Sequence, residues 1–168
     1  MEFIGVLLFF IGFVLLINAA WLQGKCEATD AGVLNAIVGV LGVGTSVYIG
    51  FVAHNAPLSA GLLLFAITYI WVAVNALRGA KDQRAFGLYS LLVALATIPF
   101  AYKTSLANDP VFAFEWLCYG LTWFLFFLLF YKGKAAIMKT VIFMVYLVGL
   151  EAVITGWSMM YGYWPYIK

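Results

Sequence analysis

Charge is what this sequence has least of. Only 10% of its 168 residues are Asp, Glu, Lys or Arg, against 66% hydrophobic, and the mean hydropathy is +1.06. Soluble domains carry about 25% charged residues, so a water-soluble globule is excluded. Histidine is scarcer still, with His54 alone, and a bis-histidine membrane haem is thereby excluded. Cys26 and Cys118 are the two cysteines. They are expected in a loop and in the outer half of the fifth span, too far apart to be bridged. With no Cys/His cluster, neither a metal site nor metal catalysis is supported. Neither a serine–histidine pair nor paired carboxylates are expected inside the membrane, so an intramembrane enzyme is not supported and no cofactor is implied. The net charge of +2 is spread over loops and argues for no nucleic-acid partner. A cleaved leader is not expected either. Glu2 stands where a basic segment would be, and no small-residue cleavage pattern follows, so the first apolar run reads as a retained helix.

What the sequence does have is long apolar runs. Spans are expected at 3–22, 31–53, 57–77, 86–102, 111–131 and 137–161, each near the ~20 residues a helix needs to cross ~30 Å of hydrocarbon. Pro57 suits a first helical turn, and Pro99 should bend or end the fourth span. Short connections then predict an all-α integral membrane protein. Its single domain, 1–168, should hold six helices as three antiparallel hairpins around a central pore. Lys25, Arg78, Lys81, Arg84, Lys132, Lys134 and Lys139 fall on one side, leaving Lys103 and Lys168 on the other. The positive-inside rule makes the first side cytoplasmic, so both termini are expected outside. The aromatic tail from Tyr161 to Tyr166 would then lie at the outer interface. A faint repeat fits either hairpins related by symmetry or helices that merely share a compositional bias. Asn18-Ala19 with Gly24 and Asn75-Ala76 with Gly79 close helices alike, and the returning helices share a pattern at Asn35–Leu41 and Ser90–Ala96.

Glu151 stands out among the polar residues, deep in the sixth span. A carboxyl near the bilayer centre costs about 2.5–3.5 kcal/mol on insertion scales, so it marks either a polar pathway or a hydrogen bond tying helices together. Asn18, Asn35 and Asn75 each need a partner or a wet lumen, which makes Asn18 and Asn75 candidates for polar lining. Gly39, Gly42 and Gly44 read as a packing face. Trp116, Tyr119 and Trp123 share one helical face with Thr122 beside them, and Phe65 and Tyr69 share another. Each stripe fits helix packing or the wall of a slot for a flat neutral solute. Outside the apolar core, His54, Asp109, Glu115 and Glu2 are expected as external titratable groups.

The run Thr68-Tyr69-Ile70-Trp71 to Asn75, the loop with Arg84, and Tyr89-Ser90-Leu91 to Thr97-Ile98-Pro99 resemble the AmiS/UreI family of bacterial urea and short-chain amide channels. Trp116-Leu117, Gly120 and Trp123 resemble its fifth helix, Glu151 with Thr155, Gly156 and Trp157 its sixth, and Gly12, Leu15 and Asn18 its first. The resemblance spans the whole chain. It implies a homohexamer in lipid with a pore in each protomer. Phe65, Tyr69, Trp116, Tyr119, Thr122 and Trp123 would form the constrictions, Leu8 and Leu15 would line them, and Glu151 would be the pore carboxylate. Better-known urea channels have Trp at the position of Tyr119 and Leu at that of Thr122. The acid-gated gastric members carry a long histidine-rich outer loop, where this chain has only the link from His54 to Leu58. Glu151, His54, Asp109 and Glu115 are therefore the candidate pH sensors. The resemblance thus implies a passive urea channel feeding a cytoplasmic urease, or a short-chain amide channel feeding an amidase. A membrane protein that binds a partner protein through this bundle, with Glu151 structural, is the contrasting reading.

Overall fold

The computed structural model describes residues 2–166 and the side chains of residues 3–166. The Glu2 side chain and Lys168, two charges expected on the outer face, lie outside the described residues. Among the described residues every regular element is helical. They are α1 (Glu2–Leu22), α2 (Ala28–Val47), α3 (Ala56–Leu77), α4 (Arg84–Leu106), α5 (Pro110–Phe126) and α6 (Met138–Met160). Wider turns extend α2 through Tyr48–Val52 and α5 through Phe127–Tyr131. With those extensions, six helices are long and apolar enough to cross a membrane.

Local chemistry sets the ends. The Asn55 side chain accepts from the Leu58 amide at 3.1 Å and Asp109 from the Phe112 amide at 2.9 Å, each just ahead of a proline in the first helical turn. Gly24 and Gly79 take φ of +73° and +59° past the ends of α1 and α3, a conformation that costs glycine nothing. Pro99 does not end α4, which runs on to Leu106. A membrane helix absorbs the one missing hydrogen bond, and within that turn Thr97 Oγ1 donates to the Ala94 carbonyl at 2.7 Å.

Helix pairing departs from three consecutive hairpins. The tight pairs are α2 with α3, α4 with α5, and α1 with α6, while the α3 and α4 backbones stay apart and meet through side chains, Tyr89 donating to the Leu64 carbonyl at 2.9 Å. The repeat suspected between the α1–α2 and α3–α4 hairpins therefore does not describe the packing. The α1–α6 seam is built on glycine. A Cβ on Gly5 would sit 2.8 Å from the Gly156 carbonyl oxygen, and one on Gly12 would sit 2.7 Å from that of Gly149. Gly5 and Gly12 are seven apart, as are Gly149 and Gly156, so each pair repeats on one face of its helix and the backbones close together. Gly39 and Gly42 pack as expected, against Ile70 and Ala66 of α3, whereas Gly44 meets nothing within 4 Å.

Candidate functional site

Three helices meet around Phe65. On α5, Glu115, Tyr119 and Trp123 recur every fourth residue, with Thr122 alongside, so they face the same neighbours. Phe65 of α3 sits among them, its ring centroid 5.1 Å from Tyr119 and 4.8 Å from Trp123, both edge-on, and 5.8 Å from Trp116. Trp116 stacks on Phe100 at 4.9 Å, which fixes its plane. All four side chains are buried. The result is a knot of rings across the middle of the bundle.

On the side of the basic loops, a cavity of about 110 Å³ runs from Trp21 and Gln83 to this knot. Leu15, Phe65, Tyr69, Val145 and Val148 give it apolar walls, and Tyr119, Thr122 and Trp123 close its far end. Thr68 and Thr122 commit their hydroxyl hydrogens to carbonyls of their own helices, at 2.7 and 2.9 Å. Asn18 brings a side-chain amide to the wall. It exchanges hydrogen bonds with fully buried Asn35 at 3.1 and 2.6 Å, and Asn35 also donates to the Ala31 carbonyl at 2.8 Å. The amide of Asn18 thus both bridges helices and borders the cavity.

Beyond the knot lie the carboxyls. Glu115 is 4% exposed and accepts from the Thr155 hydroxyl of α6. Glu151 is half-buried on the same face of α6, one turn before Thr155, within electrostatic reach of Glu115 and beside Cys118. Farther out, both Asp109 oxygens are occupied, one by the Phe112 amide and the other by Trp164 Nε1 at 2.8 Å. Trp164 is therefore buried rather than lying at the interface, while Tyr161, Tyr163 and Tyr166 of the same tail are exposed.

Of the residues singled out in the sequence, Phe65, Tyr69, Tyr119, Thr122, Trp123, Leu15 and Asn18 border the cavity. Leu8, Trp116, Asn75 and Glu151 do not, although Leu8, Trp116 and Asn75 are buried. His54 is exposed in the short link, with a φ of +51°. Two expectations need correction. Glu115 is buried rather than an external group, and with Glu151 it puts two carboxyls within electrostatic reach of each other inside the bundle. Glu115 lies near the start of α5, where hydropathy alone reads it as solvated, but the face it shares with Tyr119 and Trp123 turns it inward. That register was the signal available in the sequence. Gln83 and Val148 in the cavity wall carried none.

Comparisons with known proteins show the family and the fold. A family model described as AmiS/UreI family transporter matches residues 3–163. The chain is 34% identical over 166 residues to a protein of Mycolicibacterium smegmatis named for the transport of amidate substrates, covering 95% of this chain and 78% of that one. It is 27% identical over 189 residues to the acid-activated urea channel of Helicobacter pylori strain ATCC 700392 / 26695, covering 92% and 93%. The closed-state structure of the Helicobacter pylori urea channel superposes with a TM-score of 0.82 at 27% identity, over 95% of this chain and 98% of that one. A full-length family match, the same fold and six apolar spans together make this a multi-pass bacterial membrane protein belonging to the AmiS/UreI family.

Proposed function

We propose that the chain is a passive channel for urea and short-chain amides, with a complete pore inside each protomer of a hexamer. One observation carries the reading: cavity, aromatic knot and buried carboxyls lie in succession along a single chain. Flat apolar rings admit a small planar solute edge-on, yet offer an ion nothing in place of its water. Stripping a charge without compensation is prohibitive in a medium of low dielectric. The pore conducts and does not catalyse. Its basic loops face the cytoplasm, so the cavity is the inner vestibule and the carboxyls lie toward the outer mouth, delivering solute to a cytoplasmic urease or amidase. The family's named members support both solutes. Higher identity to the protein named for amidate substrates favours amides as the preferred cargo.

Purified protein in liposomes should speed the entry of urea and acetamide over empty vesicles while excluding glycerol. Entry no faster than in empty vesicles would support the contrasting role, a membrane partner for another protein. Gene neighbourhood adds a cheap second check, since adjacency to urease or amidase genes separates the two cargoes.

A further inference from the structure

Glu115 is more than a ring-lined slot requires. Its Oε1 accepts from Thr155, but its Oε2 is buried without a partner. Glu151 Oε2, the Tyr119 hydroxyl and Trp123 Nε1 are buried and unpartnered too. Native interiors leave few such atoms, and each carries the full cost of losing water. Here they cluster. Glu115, Tyr119 and Trp123 descend one face of α5 in steps of about 6 Å. Glu151 comes from α6, and the Tyr119 side chain lies within electrostatic reach of both carboxyls. The Glu115 carboxyl, which can accept, therefore stands above groups that can donate, an O–H and an indole N–H, with Glu151 beside Cys118 at the level of the Tyr119 turn.

That order is complementary to a carboxamide. Its N–H groups would bond Glu115 and Glu151, and its carbonyl would accept from Tyr119 or Trp123. A metal ion is a poor fit, since among the described residues no three His, Cys, Asp or Glu gather. An organic cation would suit two carboxyls but would next meet Phe65, Trp123 and Leu15, where cation–π contact with the rings offsets only part of the water it loses. We propose that Glu115, with Glu151 and Tyr119, forms a recognition station for neutral solutes bearing N–H donors, and that Glu115 is its specificity-determining residue. This rests on the channel reading and names what the channel selects.

Acetamide and N-methylformamide test it, being isomers with two and one N–H donors. Flux of each, corrected for empty liposomes, would be measured for the parent, Glu115→Gln and Glu115→Leu, alongside urea, guanidinium and water. The parent should favour acetamide about three- to tenfold, the discrimination expected of one hydrogen bond. Glu115→Leu should bring that ratio close to one with water permeability retained, and Glu115→Gln, still an acceptor, should recover part of it. A ratio in Glu115→Leu equal to the parent's, or no preference in the parent, overturns the station. Guanidinium passing faster than acetamide overturns its neutrality. A parent that passes neither urea nor acetamide instead overturns the channel itself.

Discussion

Individual side chains in this bundle differ most in what they leave behind when removed. Asn18 and Asn35 hold each other, but Asn35 is fully buried whereas Asn18 borders the cavity. Asn18→Ala strands an amide in hydrocarbon, while Asn35→Ala strands one that water in the cavity can reach. Asn18→Ala should therefore cost more, about 1–3 kcal/mol against about 1 kcal/mol or less. Thermal unfolding in detergent checks the order, and equal losses would mean that the cavity is dry. Glu151→Gln keeps shape and hydrogen bonding without charge, so assembly should survive and urea flux should change. A well-assembled variant with unaltered flux would remove Glu151 from the pathway. Asp82 behaves differently. Arg84 donates to it at 2.7–3.2 Å and holds its carboxyl at about 2. A depressed value means that the pair is intact above about pH 4 and is lost only as pH falls through about 2. Asp82→Asn should thus leave any flux change between pH 5 and 8 untouched, as a pH–flux profile would show.

Helix by helix, close approach decides the packing more than polarity does. Gly156 and Gly12 lie where an added Cβ meets backbone, so Gly156→Ala should destabilise by about 1–3 kcal/mol through overpacking. Gly44→Ala meets nothing within 4 Å and should be neutral or slightly stabilising in the isolated protomer. Unfolding temperatures of the two variants make the comparison. The contrast also explains what could be read in advance. Hydropathy is a local sum, and it placed every span, missing mainly the start of α2 and the run of α4 past Pro99. Gly39 and Gly42 announced a packing face by crowding together. The partner of α1 could not be read this way, because Gly5 and Gly12 lie more than a hundred residues from Gly149 and Gly156 and neither pair is distinctive alone. Glu115 escapes hydropathy for a related reason: its place near the end of a span reads as solvated, and only the face it shares with Tyr119 and Trp123 turns it inward.

For the molecule as a whole, and in the orientation proposed above, the described residues offer few exposed groups for sensing acid from outside. The link carrying His54 is short, Asp109 is held by Phe112 and Trp164, and Glu115 is buried. Flux from pH 5 to 8 should accordingly be shallow and unchanged in His54→Ala. A steep opening on acidification that vanishes in His54→Ala would show that one exposed imidazole per protomer suffices.

The glycine seam between α1 and α6 also bears on how the protein is made. Ribosomes deliver α1 first and α6 last, at about 5–20 residues per second, so α1 waits for several seconds while the other helices enter the membrane. During that wait its glycine face has no matching surface. The second and third helices can pair as soon as both exist, and so can the fourth and fifth. Closure of the bundle therefore waits for α6, the helix that also carries Glu151. A defect in the seam should consequently show itself as slow maturation and degradation of full-length chains, before any loss of conduction in those that close.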